Sequence, residues 1–291
     1  MNQPKITFLL ERYYGWIIIG ILALMYAPLI QYWYDGWLHK NISIEHEYFS
    51  HGLIGLPFAA WIAWSDRKKW QRLPDHGHPL APVLLLCSSI FYLTGVPDLV
   101  NLSFPIILTG ICLWLKGIPG LQMQGFPLLL VFLASPNQLP YLIAPYTLPL
   151  QSFIAGVAGF ILLQIGIDVK VEDIYLYVGD AIVEVAPYCA GLKILFSMLY
   201  VALMLLYWTD NISSISKISW FLVATVILSV TGNIIRNTLL TFFHGTGKDH
   251  LFVWLHESWG GDFYSACLLG LLIPLLNGIE KLHDSLSQPA D

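Results

Sequence analysis

Charge is what this sequence has least of. Only 11% of its 291 residues are Asp, Glu, Lys or Arg, where a soluble domain carries about 25%. That scarcity excludes an ordinary solvated surface. The net charge of −5 is spread over short loops without a basic stripe, which excludes a nucleic-acid interface. Cysteine is scarce too. Cys87, Cys112, Cys189 and Cys267 have no paired spacing, so neither a disulfide framework nor a zinc site is spelled out. The Gly-x-Gly-Asp, Gly-x-Ser-x-Gly and His-Glu-x-x-His patterns of other proteases are absent. What fills the chain instead is apolar: 56% hydrophobic residues, 11 Trp and a mean hydropathy of +0.65.

Apolar runs near the ~20 residues that span a hydrocarbon core fall at 14–33, 50–65, 80–97, 102–118, 120–135, 147–167, 190–208, 218–240 and 262–279. The first has no small-residue cleavage site behind it and is read as a retained span. The chain is expected to be one integral-membrane domain over 1–291. Lys and Arg gather in cytoplasmic loops, so Arg67, Lys68, Lys69 and Arg72 place the second loop inside, and Lys116 marks another inner loop. Working back from Lys281 at a cytoplasmic C-terminus, Lys217 is inside, while 244–260 and the region of Cys189 are outside. An odd number of crossings must then separate Lys116 from Cys189, yet two apolar runs are available. Pro136, Pro140, Pro145 and Pro149 interrupt the approach to the second, so 147–167 is expected to lie along the surface or to be re-entrant. The expected fold is all-α, with about eight transmembrane helices, this extra helix and one small outward β-hairpin. The hairpin comes from 168–185, where Val169 and Val171, then Ile174, Leu176 and Val178, alternate with polar residues around a Gly179-Asp180 turn. Open strand edges cannot stand in lipid, so it belongs at the surface.

The hairpin leads to EVAPYCAGLK, 184–193. The other three cysteines sit in strongly apolar runs, where a thiol acts as a small buried hydrophobe; Cys189 does not. If a helix starts near Pro187, Cys189 lies in its first turn, where the helix dipole favours the thiolate. A cysteine packed at a helix start is the plainer alternative. Next comes Arg236, with Asn233 and Asn237, inside the apolar VILSVTGNIIRNTLL. A central arginine costs roughly 2.5–3.5 kcal/mol on insertion scales and faces a partner or cavity, unless it snorkels to the headgroups. Asn233 and Arg236 share a helix face. Downstream, His244, His250 and His256 are spaced by six, which does not stack them for a metal. His256, at the edge of the last span, suits a single acid/base. Thiol, imidazole and guanidinium on one side make an acyl-transfer set.

These residues resemble the exosortase/archaeosortase family of membrane cysteine transpeptidases. Pro187-Tyr188-Cys189-Ala190-Gly191 is similar to the family's Pro-x-Cys-Ser-Gly, Asn233-Ile234-Ile235-Arg236 to its Asn-x-x-Arg, and His256-Glu257-Ser258-Trp259-Gly260 to its His-x-x-x-Gly. Ala190 departs from the usual serine. The Ser50-His51-Gly52 segment and the Pro-rich centre extend the likeness over about 48–279, and HESWGGDFYSA looks like the cyanobacterial branch. His51 itself is expected to be an interfacial histidine. The resemblance implies cleavage and transfer of exported proteins that end in a Pro-Glu-Pro motif, a transmembrane helix and a basic tail. It places this chemistry at the outer face of the plasma membrane, in the export of surface or polysaccharide-associated proteins. Cys189 would be the nucleophile, His256 the proton shuttle and Arg236 the oxyanion or orienting group, with Asn233 binding substrate. No cofactor or metal is implied; the partners are tailed substrate proteins, the lipid bilayer and small accessory membrane proteins. A transporter using Arg236 for an anion, or an export-complex scaffold, are the competing classes, but no internal repeat is visible.

Overall fold

A computed structural model describes residues 5–38, 48–185 and 191–287. The described chain is mostly helical. Five helical runs are long and apolar enough to cross a membrane: Ile17–Leu38, Pro97–Ala134, Leu139–Gln164, Ile215–Gly245 and Trp259–His283. Shorter apolar helices span Gly52–Ser65, Leu80–Leu93 and Leu192–Trp208, and one small antiparallel sheet accompanies them. The protein is therefore a multi-pass membrane protein. Its chain divides into two compact units, Met1–Asn137 and Gln138–Asp291.

The first unit holds α1 (Lys5–Leu38), α2 (Gly52–Ser65), α3 (Arg67–Arg72), α4 (Leu80–Leu93) and α5 (Pro97–Ala134). Its polar side chains are matched inside. Trp33 Nε1 donates to Asn101 Oδ1 at 2.7 Å, and the Tyr26 and Ser103 hydroxyls meet at 3.0 Å. Helix α5 covers the two runs read from sequence as 102–118 and 120–135, and it breaks between them at Gly117, with φ 59° and ψ −149°. A Cβ there would sit 2.6 Å from the His76 carbonyl oxygen, so the joint requires glycine. Beside it the Lys116 ammonium donates to Leu73 O at 2.8 Å and to Asp75. Lys116 thus meets the loop that follows the basic helix α3. His51 departs from expectation. It is not interfacial but 6% exposed, with Nε2 donating to Leu133 O at 3.1 Å, because it precedes the tightly packed start of α2, where Gly52 lies against Trp37.

The second unit begins with α6 (Leu139–Ile143), a 3-10 turn (Ala144–Thr147) and α7 (Leu148–Gln164). Pro140, Pro145 and Pro149 each fall at the first or second position of one of these pieces, where a missing N–H costs nothing. They divide the segment without ending it, and the whole run is long enough to cross. The sheet follows: β1 (Lys170–Glu172), β2 (Tyr175–Val178) and β3 (Ala181–Glu184) in the order β1-β2-β3. Val178 pairs with Ala181, so Gly179-Asp180 is the expected two-residue turn, with Gly179 at φ 58°. The first strand extends the hairpin to a meander. Leu176, Val178 and Val185 face inward onto Ile154, Ala155, Ala158 and Leu162 of α7.

Five further α-helices follow: α8 (Leu192–Trp208), α9 (Ile215–Gly245), α10 (Asp249–Glu257), α11 (Trp259–Gly270) and α12 (Leu272–Ser287). Helices α7 and α9 pack along each other. Both reach the sheet near their C-terminal ends: Gly159 lies against Val171 and Gly245 against Val178, where added Cβ atoms would fall 2.2 and 2.4 Å from those valines. At the opposite end of α9, Asn211 donates to Glu280 of α12.

Candidate functional site

Helix α9 carries the polar residues of the site on an otherwise apolar element. Asn233 is 1% exposed and Asn237 2%, with Asn237 Nδ2 donating to Asn233 O at 2.9 Å. Gly191 comes against this turn with φ 82°, and a Cβ there would fall 2.7 Å from Asn233 Cγ. The glycine after the cysteine motif is thus required twice, by its left-handed backbone and by contact with Asn233. Helix α8 starts at Leu192, with Gly191 as its cap. The expected helix start near Pro187 falls before this point in the chain. Residues 186–190, Cys189 among them, lie outside the described residues.

One turn beyond Asn233 is Arg236, half-buried, with Nε shut away from solvent and meeting no hydrogen-bond partner among the described residues. Its Nη2 reaches the start of α11, 3.6 Å from where a Cβ on Gly261 would stand. That Cβ would also press on Leu255 O at 2.9 Å, and one on Gly260 would collide with Trp254. The paired glycines therefore let the α10–α11 corner fold tightly beside the guanidinium. Tyr264 of α11 donates its hydroxyl to Gly232 O, and Leu268 occupies the space beside Gly232. Together they hold the turn that presents Asn233 and Arg236.

His256 stands on α10, its ring stacked on Phe252 at 5.2 Å and 10°. Phe252 in turn packs on His244 at 4.9 Å, and His244 Nδ1 is 3.2 Å from Asp249 Oδ1. Burial lowers the His256 pKa below the ordinary histidine value, the positive Arg236 lowers it further, and Glu257, 3.8 Å from Nδ1, opposes both. The imidazole is accordingly neutral near pH 7 and able to take a proton. Asn233, Arg236 and His256, expected together from sequence, fall in one neighbourhood of the second unit. Phe252, Tyr264 and Gly261 were not foreseen. Phe252 could have been, because it lies four residues before His256 on the same helix; Tyr264 touches the site through a backbone carbonyl and left no signal.

Fold and site define a multi-pass membrane protein with a cation and a neutral imidazole gathered around one intramembrane helix. The family model for transmembrane exosortase (Exosortase_EpsH) matches residues 37–273, and the chain belongs to that family. Exosortases process PEP-CTERM sorting signals. No curated protein and no solved structure gives a significant match to the chain.

Proposed function

We propose that this protein is a cysteine protease/transpeptidase of exported, C-terminally tailed proteins, with Cys189, His256 and Arg236 as its catalytic residues and Asn233 binding substrate. The observation that carries the reading is the contact of Gly191 with Asn233. It brings the end of the cysteine motif to the helix turn that bears Arg236, whose charge in turn acts on His256.

In the first step His256 takes the Cys189 proton, and Sγ attacks the scissile carbonyl carbon. The carbonyl oxygen becomes an oxyanion, which the guanidinium of Arg236 stabilises. Collapse breaks the C–N bond, leaves a thioester on Cys189 and passes the proton from His256 to the departing amine. An acceptor amine or water, deprotonated by His256, then attacks the thioester and releases the thiol. The site faces outward across the plasma membrane, both units serve one enzyme, and HESWGGDFYSA supports the cyanobacterial branch. Small accessory membrane proteins are further partners in this reading.

The test is processing of a reporter that ends in a Pro-Glu-Pro motif, an apolar segment and a basic tail. Cys189→Ala is expected to abolish processing with membrane insertion intact, while alanine at Cys87, Cys112 or Cys267 preserves it. Processing by the Cys189→Ala variant would remove the covalent mechanism.

A further inference from the structure

Asp249, Phe252 and His256 follow one another at intervals of three and four, so they share one face of α10. His244, one residue from the end of α9, meets two of them. Its Nδ1 is 3.2 Å from Asp249 Oδ1, and its ring packs on Phe252 at 4.9 Å and 33°. Phe252 carries His256 in turn, 5.2 Å away and within 10° of parallel. Three rings thus run in series from α9 to the imidazole.

The series bears on how α10 lies. Thr246, Gly247 and Lys248 stand between the two helices, with Gly247 at φ 69°, and the chain reverses there. From His244 back to Arg236 is about 12 Å of α9, and from Asp249 on to His256 is about 10 Å of α10. The contact of His244 with Asp249 closes one end of this ladder, and the charge of Arg236 acting on His256 marks the other. Helix α10 therefore runs back along the last turns of α9. The ion pair alone is a weak fastening, because its His244 and Asp249 side chains are 36% and 73% exposed. The ring contacts carry the connection, since aromatic pairs at such separations add to what burial supplies.

We propose that Phe252 is a positioning residue for His256: its ring fixes the plane of the imidazole, and His244, held by Asp249, backs it from α9. This rests on the peptidase reading above. A proton passes from Cys189 to His256 only if the imidazole is held within hydrogen-bond reach and aimed at it. An imidazole on a half-buried helix face has several staggered rotamers open to it. A flat neighbour favours those that lay ring on ring. An aliphatic side chain of similar bulk would exclude water as well but has no face to align a plane. The role therefore belongs to the ring and not to apolar volume.

The experiment compares Phe252→Leu with Phe252→Tyr in the full-length protein in detergent. It reads reporter processing, the thermal midpoint, and the magnetic-resonance signal of the His256 ring in protein carrying isotope-labelled histidine, identified by its loss in His256→Gln. Phe252→Leu is expected to lower kcat about tenfold, the upper scale of one aromatic pair, with KM and midpoint unchanged, and to move the His256 signal as the ring current is lost. Phe252→Tyr should restore kcat and the signal. Adding His244→Leu to Phe252→Leu should cost nothing further, because His244 acts through Phe252. Unchanged kcat or an unmoved signal in Phe252→Leu would overturn the proposal, and so would a loss of turnover that merely follows a lowered midpoint. Failure of the wild-type protein to process the reporter, with the His256 signal still dependent on Phe252, would instead defeat the peptidase reading and leave the hold on the imidazole standing. Equal processing by wild type and Phe252→Leu would do the reverse.

Discussion

Arg236 has a buried Nε that meets no partner among the described residues and an Nη2 beside Gly261, which sets its guanidinium fork against the start of α11. A lysine would supply the charge as a point on a flexible stem, without that fork. Arg236→Lys is therefore expected to lower kcat by about 10²-fold, the scale of losing one oxyanion donor; near-normal turnover would reduce the residue to a membrane anchor. His256 gives a second test through its neighbours. The reactive form is the neutral imidazole, so the acid limb of kcat/KM lies below the ordinary histidine value. Glu257 raises the His256 pKa. Removing its charge in Glu257→Gln should let the pKa fall further, moving the acid limb to lower pH. A limb that moves up, or stays fixed, would separate His256 from the proton transfer.

The sheet is the element expected to assemble the site, since it rests on α7 and α9 and ends at Glu184, shortly before the cysteine motif. Gly245→Ala would put a methyl 2.4 Å from Val178 Cγ1. Overpacking of this kind costs about 1–3 kcal/mol, so the thermal midpoint should fall by several degrees and reporter processing with it. Gly156→Ala on α7, where nothing lies within 4 Å, should do neither; equal behaviour of the two variants would mean that the sheet does not position the site. Much of this was legible in the sequence. The alternation from Val169 to Val178 and the Gly179-Asp180 turn specify the hairpin, and Arg236 is conspicuous because a charge in an apolar run is costly. Other features were not legible. The true start of α8 depends on Gly191 taking a left-handed conformation against Asn233, a contact 42 residues away in the chain. The burial of His51 depends on a carbonyl of α5, and Tyr264 on one of α9, neither of which leaves a mark on local pattern.

At the scale of the whole molecule, the central claim is that nucleophile, base and cation act at one membrane end, the outer one. In the second unit the sheet meets the C-terminal end of α9 through Val178 and Gly245, while Ser214 caps the other end of this 31-residue helix, about 46 Å away. The positive-inside rule assigns the Ser214 end, with Lys217 and Lys281, to the cytoplasm. The direct measurement introduces single cysteines at Asp180, Gly247 and Ser214 in a background lacking the native four, and adds a membrane-impermeant thiol reagent from outside intact cells. Asp180→Cys and Gly247→Cys should react and Ser214→Cys should not. Labelling of the first two from opposite sides would part Cys189 from His256 and contradict the acyl transfer itself; labelling of both from the cytoplasm alone would contradict an outward-facing site.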